Sequence, residues 1–209
     1  LKLSLIAALV AWLIGIPAGI VSAVKKNSIL DHLFMGVSLM GVSMPVFWAA
    51  LLFQYIFAYK LGWFPVSGTN GWTSYVLPSI VLGWSSAGTI ARLTRSNLLE
   101  TLEDDYIRTA WAKGLGQSGV IVRHAFKNAL LPVITMMAIQ VASLLSGAVI
   151  TESVFAIPGV GRLAVDAISS RDMPLLQGTV VFTTILIILG NLLADVLYSV
   201  IDPRIRTDH

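Results

Sequence analysis

The 209-residue sequence contains no cysteine. That excludes a disulfide framework, a thiol nucleophile and a thiolate-ligated zinc site. Charge is scarce: Asp, Glu, Lys and Arg make up 12% of the chain, where a soluble domain carries roughly 25%. Histidine occurs only at His32, His124 and His209, too far apart in sequence to suggest a metal cluster. No HExxH or GxSxG is present. Gly114-Leu115-Gly116-Gln117-Ser118-Gly119 matches GxGxxG letter for letter, but a helix-like stretch, Tyr106 to Lys113, precedes it where a dinucleotide fold needs a strand. Val120-Ile121 stand where a P-loop requires Lys and Ser/Thr, so the cationic contact to nucleotide phosphates is missing. The chain is therefore not expected to be an enzyme or to hydrolyse ATP itself. Its basic residues follow membrane topology rather than an aromatic-interleaved nucleic-acid surface, and no nucleic-acid partner is expected.

Apolar residues are abundant, at 56% with a mean hydropathy of +0.82. A core this small cannot hide them in water. They gather in five runs: Leu3 to Val24, about Leu33 to Tyr59, about Tyr75 to Ala91 (continuing as helix past Arg92 and Arg95), about Ala129 to Ile150, and about Leu175 to Ile201. Each is long enough to cross a hydrocarbon layer of roughly 30 Å. Stretches such as 183–189 do not alternate as barrel strands do, so helices are expected. The fold class is thus all-α, a polytopic bundle with residues 1–209 as one transmembrane domain.

Ten of the fourteen Lys and Arg residues fall in the first and third connections and the tail, which places those segments in the cytoplasm. The second connection, with Trp63, Phe64, Trp72 and Tyr75, reads as an outer interfacial belt. Leu1 then lies outside, and an amino-terminal span is expected to be missing. The competing reading is a signal peptide over residues 1–24 cleaved after Val21-Ser22-Ala23. Lys25-Lys26 argue against it, because they form a stop-transfer flank.

The longest hydrophilic stretch is cytoplasmic, Arg92 to Asn128, and contains a loop at about 100–127. The loop opens on an acidic cluster, Glu103-Asp104-Asp105, suited to a helix N-terminus. Ile107, Ala110, Trp111 and Gly114 or Leu115 recur at helical spacing, and Gly114 is a stop signal. Ala110, Ala112 and Gly114 would let another backbone approach closely. So short a helix needs something to pack on: the lipid surface, or a soluble partner.

The stretch Asp105 to Leu115, followed by His124-Ala125-Phe126-Lys127-Asn128-Ala129-Leu130-Leu131-Pro132-Val133-Ile134, resembles the EAA loop of ABC-importer permeases, in particular the dipeptide/oligopeptide/nickel group. Glu152-Ser153-Val154-Phe155-Ala156-Ile157-Pro158-Gly159-Val160-Gly161, in an external loop at about 151–174, and the carboxy-terminal run Asn191 to Arg206 are similar to the same family. Arg108 and Thr109 depart from it, standing where Glu and Ala are usual.

The resemblance implies a type I importer permease fold in a bacterial inner membrane. It implies transport of peptides, nickel or a related small solute. Arg108, Thr109, Ala110, Trp111, Ala112, Lys113, Gly114 and Leu115 would form the coupling helix that docks in an ATPase. The implied partners are a second, different permease, two ATPase subunits carrying ATP and magnesium, an external solute-binding protein and the lipid bilayer. No cofactor is expected on this chain. Gln140, Asn191 and Asp195 are translocation-pathway or packing candidates, and Gly15 and Gly19, a GxxxG pair around Pro17, are helix-packing candidates. The alternative function is an ion- or proton-coupled carrier, which would need more buried ions and internal repeats than are visible.

Overall fold

The computed structural model describes residues 1–69, 71–116, 119–145 and 148–201; the side chains of 145, 194, 195 and 197–201 lie outside that description. The described residues form helices joined by short connections, with no strand among them. In chain order these are α1 (Lys2–Val24), α2 (Ile29–Ser43), α3 (Val46–Phe53) with a π-helical continuation Gln54–Lys60, α4 (Thr73–Leu102) and α5 (Asp105–Ala112). A π-helical turn Val120–Ala125 leads into α6 (Phe126–Ala129) and α7 (Leu131–Leu145). The chain continues with α8 (Val149–Val154), α9 (Val160–Ser170) and α10 (Met173–Ile201).

The centre of the bundle is the pairing of α1 with α4. Lipid gives apolar helices no hydrophobic reason to associate, so close packing has to do it. The buried stripe of α1 is made of small residues, including Ala7, Ala11, Gly15, Ala18, Gly19 and Ser22. A Cβ on Gly15 would lie 2.7 Å from the Ala87 carbonyl oxygen, and one on Gly19 would lie 2.6 Å from that of Ala91. Gly83 of α4 faces Ala7 and Val10 in the same way. α2 meets α4 through Gly41 against Trp84 and Gly88 against Ser38. Val21-Ser22-Ala23 continue α1, with Ser22 and Ala23 buried.

The five expected runs are not five straight helices. Among the described residues, α1 and Met173–Leu193 of α10 are single helices long and apolar enough to cross a membrane, and up to four spans result if each bent pair counts as one. The second run is broken at Pro45. Met44 is driven into the extended region (φ −76°, ψ 132°), as a residue before proline usually is, and the axis turns by 108°. The fourth run starts with a 50° bend between Val120–Ala129 and Leu131–Leu144. The third run lies in α4. At 30 residues this helix is about 45 Å long, so it carries Arg92 and Arg95 well past the apolar part.

Because the Gly88 contact is with backbone, Gly88→Ala should separate α2 from α4 and cost about 1–3 kcal/mol. Gly36→Ala, with nothing within 4 Å of the new Cβ, should not. Thermal unfolding of the purified complex in detergent reads the difference.

Candidate functional site

The end of the bundle that the Lys and Arg pattern assigns to the cytoplasm carries α5. Asp105 sits in its first turn, where the helix dipole favours a carboxylate. Its last turn closes with a Schellman arrangement: the Gly114 N–H donates to the Trp111 carbonyl (2.9 Å) and the Leu115 N–H to that of Ala110 (3.4 Å). That closure needs Gly114 at φ +77°, a conformation a side chain would strain.

α5 packs against the bundle through its apolar side. Ile107 and Ala110 are buried in a cluster with Ala23 of α1, Leu98 of α4, and Val120, Ala125 and Ala129. The Asn128 amide donates to the Tyr106 hydroxyl at 2.9 Å and adds a second tether. The structure thus divides the proposed docking residues. Ala110 is used for the chain's own packing. Arg108, Thr109, Trp111, Ala112, Lys113, Gly114 and Leu115 are exposed and share the outer surface of the helix end. The Arg108 side chain is 73% exposed, with only a loose 3.5 Å contact to Asp105.

One turn above this cluster lies a group that the sequence reading missed. The Asp31 carboxylate, 2% exposed, accepts hydrogen bonds from Arg95 Nε (2.8 Å) and Nη2 (2.7 Å). It also accepts from the Asn27 backbone N–H at 2.9 Å and from the Ser22 hydroxyl. Ser28 caps α2 by accepting from the Asp31 N–H at 3.2 Å. The Ser-x-x-Asp spacing before an apolar run was the available signal. The Arg95 partner, 64 positions away, had none.

At the other end of the bundle, Glu152 is buried and accepts from the Arg162 N–H at 3.1 Å. Its carboxylate therefore closes the N-terminal turn of α9, whose own cap residue is Gly159. Any Cβ at 159 would overlap that carboxylate. Gln54 Nε2 donates to the Val66 carbonyl in the second connection and to the Val154 carbonyl at the end of α8 (2.8 and 3.2 Å). A cleft of about 940 Å³, lined in part by Lys2, Leu5, Trp72, Tyr75 and Ser79, opens between α1 and the start of α4, away from α5.

Of the intramembrane polar candidates, Gln140 joins α7 to α4 by donating to the Ser86 carbonyl at 2.9 Å. Its Oε1 is buried without a partner. Asn191 is exposed on α10. Asp195 lies on α10, but its side chain is outside the described residues. Among the described residues no three His, Asp or Glu side chains gather as metal ligands would.

Comparison with known proteins gives a consistent set of similarities. The model of the family described as binding-protein-dependent transport system inner membrane component matches residues 15–207. The chain is 45% identical to the dipeptide transport system permease protein DppB of Alkalihalophilus pseudofirmus, over 99% of this chain and 70% of that protein. It is 42% identical to the di/tripeptide permease DppB of Pseudomonas aeruginosa, with the same coverage. It is also 42% identical to the glutathione permease GsiC of Escherichia coli, over 94% of this chain and 64% of that protein. Among solved structures, the inward-facing MetNI methionine ABC transporter superposes with a TM-score of 0.80 at 16% identity, over 96% of this chain and 92% of that one. The helices therefore adopt the type I importer permease fold.

Ile107 anchors α5, so Ile107→Ala should cost about 2–5 kcal/mol. Hydrogen exchange should then speed up across residues 105–112 but not in α1. Ala112→Ser, on the exposed side of the same helix, should leave exchange unchanged.

Proposed function

This chain belongs to the family of binding-protein-dependent transport system inner membrane components, and from that membership we propose that it forms half of the passage of an ATP-driven importer of short peptides. It is an inner-membrane ABC importer permease by family, by relatives and by fold. Peptide cargo is supported by relatives named for dipeptides, di- and tripeptides, and glutathione, itself a tripeptide.

The observation that carries the mechanism is α5. An eight-residue helix is marginal alone, yet here it is anchored by Ile107 and Ala110 while Arg108, Trp111, Ala112 and Lys113 remain exposed. In the proposed complex this face sits in a cleft of an ATPase subunit. Arg108 and Lys113 meet carboxylates or backbone carbonyls there, and Ala112 and Gly114 allow close approach. ATP and magnesium are held by two such subunits, not by this chain. A second permease completes the passage, and an external binding protein delivers the solute. ATP binds the closed ATPase pair better than the open one. That difference in affinity, carried through α5, shifts the permeases between inward- and outward-open states.

Gly114→Trp tests the docking. The position is open on this chain's own side, with nothing within 4 Å, but its φ of +77° strains any side chain, so Gly114→Ala, which carries that strain without the bulk, is the control and should keep most of the uptake. Membrane insertion should persist. ATPase copurification and ATP-driven peptide uptake should each fall by roughly tenfold or more. Unchanged uptake, or uptake by the wild type in vesicles without ATP, overturns the assignment.

A further inference from the structure

Of the helices that reach the cytoplasmic end, α1, α2 and α4 are held together in two different ways. Toward the outer side and the middle, α1, α2 and α4 are fixed by backbone closeness: Gly83 against Ala7, Gly15 against Ala87, Gly88 against Ser38. The last such contact on the α1–α4 line is Gly19 against Ala91 and Thr94. Beyond it the Asp31 carboxylate takes over. It joins α1 through Ser22, the first connection through Asn27, and α4 through Arg95.

The position of this group matters for α5. Ser22 is followed directly by Ala23, and Arg95 lies one turn before Leu98. Ala23 and Leu98 are the residues of α1 and α4 in the cluster that seats Ile107 and Ala110. A surface of apolar contacts alone permits sliding. A two-pronged guanidinium–carboxylate pair fixes direction as well as distance. α2 needs such a tie more than its neighbours do. It enters through the short 25–28 connection, with Asn27 at φ 63°, and the chain turns by 108° after it leaves.

We propose that Asp31 and Arg95 are positioning residues for energy coupling: their pair makes the inner ends of α1, α2 and α4 move as one body with α5. A displacement of α5 then reorients the membrane helices instead of being absorbed in the connections. This rests on the reading of α5 as the ATPase contact, and the two can fail separately.

The test uses the complete importer, with both permeases, the ATPases and the binding protein, reconstituted in vesicles. Peptide uptake and ATP hydrolysis are measured together. Asp31→Asn and Arg95→Gln should leave ATPase copurification intact and hydrolysis running, while peptide imported per ATP falls roughly tenfold, the size of an ordinary coupling between sites. Because a lone buried charge can prevent folding, the neutral pair Asp31→Asn with Arg95→Gln is made as well and should show the same lowered ratio. The exchange Asp31→Arg with Arg95→Asp should recover part of it. An unchanged ratio in the assembled variants overturns the proposal. So does failure of every variant to insert, which would make the pair a folding requirement only. Loss of ATPase copurification in the single variants would overturn it too, whereas unchanged copurification and uptake in Gly114→Trp would instead sink the docking reading.

Discussion

Backbone closeness between α1 and α4 is the constraint on which the rest of this bundle depends. In lipid an apolar side chain gains nothing by leaving the tails for another helix, so association must come from dense contact and from polar groups with nowhere else to go. The chain meets this with small residues on both helices, Gly15 and Gly19 on one and Gly83 on the other. The larger side chains of α1, such as Leu5, Leu9 and Leu13, are left facing outward. The seam is narrow, so a second set of contacts can be built at its two ends.

Those ends are chemically different. At the α5 end an ion pair and a hydroxyl join α1, α2 and α4, and a small apolar cluster seats α5. At the outer end a carboxylate is turned onto the first turn of α9, and a glutamine amide donates to the second connection and to the end of α8. In a low-dielectric setting such groups are costly to leave unpaired, and this makes the arrangement directional.

Much of this was readable from the chain. Helical spacing and the Gly114 stop located α5 to within a residue or two, because a short amphipathic helix announces itself locally. The extension of the third run past Arg92 was also legible, since nothing in the sequence breaks it. The break at Pro45 had a local signal, but periodicity alone does not say whether proline kinks a span or ends it. Sequence spacing could not reveal the Asp31–Arg95 pair, whose members lie 64 positions apart. The division of labour on α5, with Ala110 inward and Ala112 outward, required knowing which neighbours the helix rests on.

The shortness of α5 has one more consequence. Eight residues do not hold a helix by themselves, so the order of this segment is lent to it by Leu98, Ala23 and the turn at Val120–Ala125. A bundle whose helices have not yet met offers no shaped surface at this point. In the proposed complex, recruitment of an ATPase through α5 would therefore be conditional on completed membrane packing.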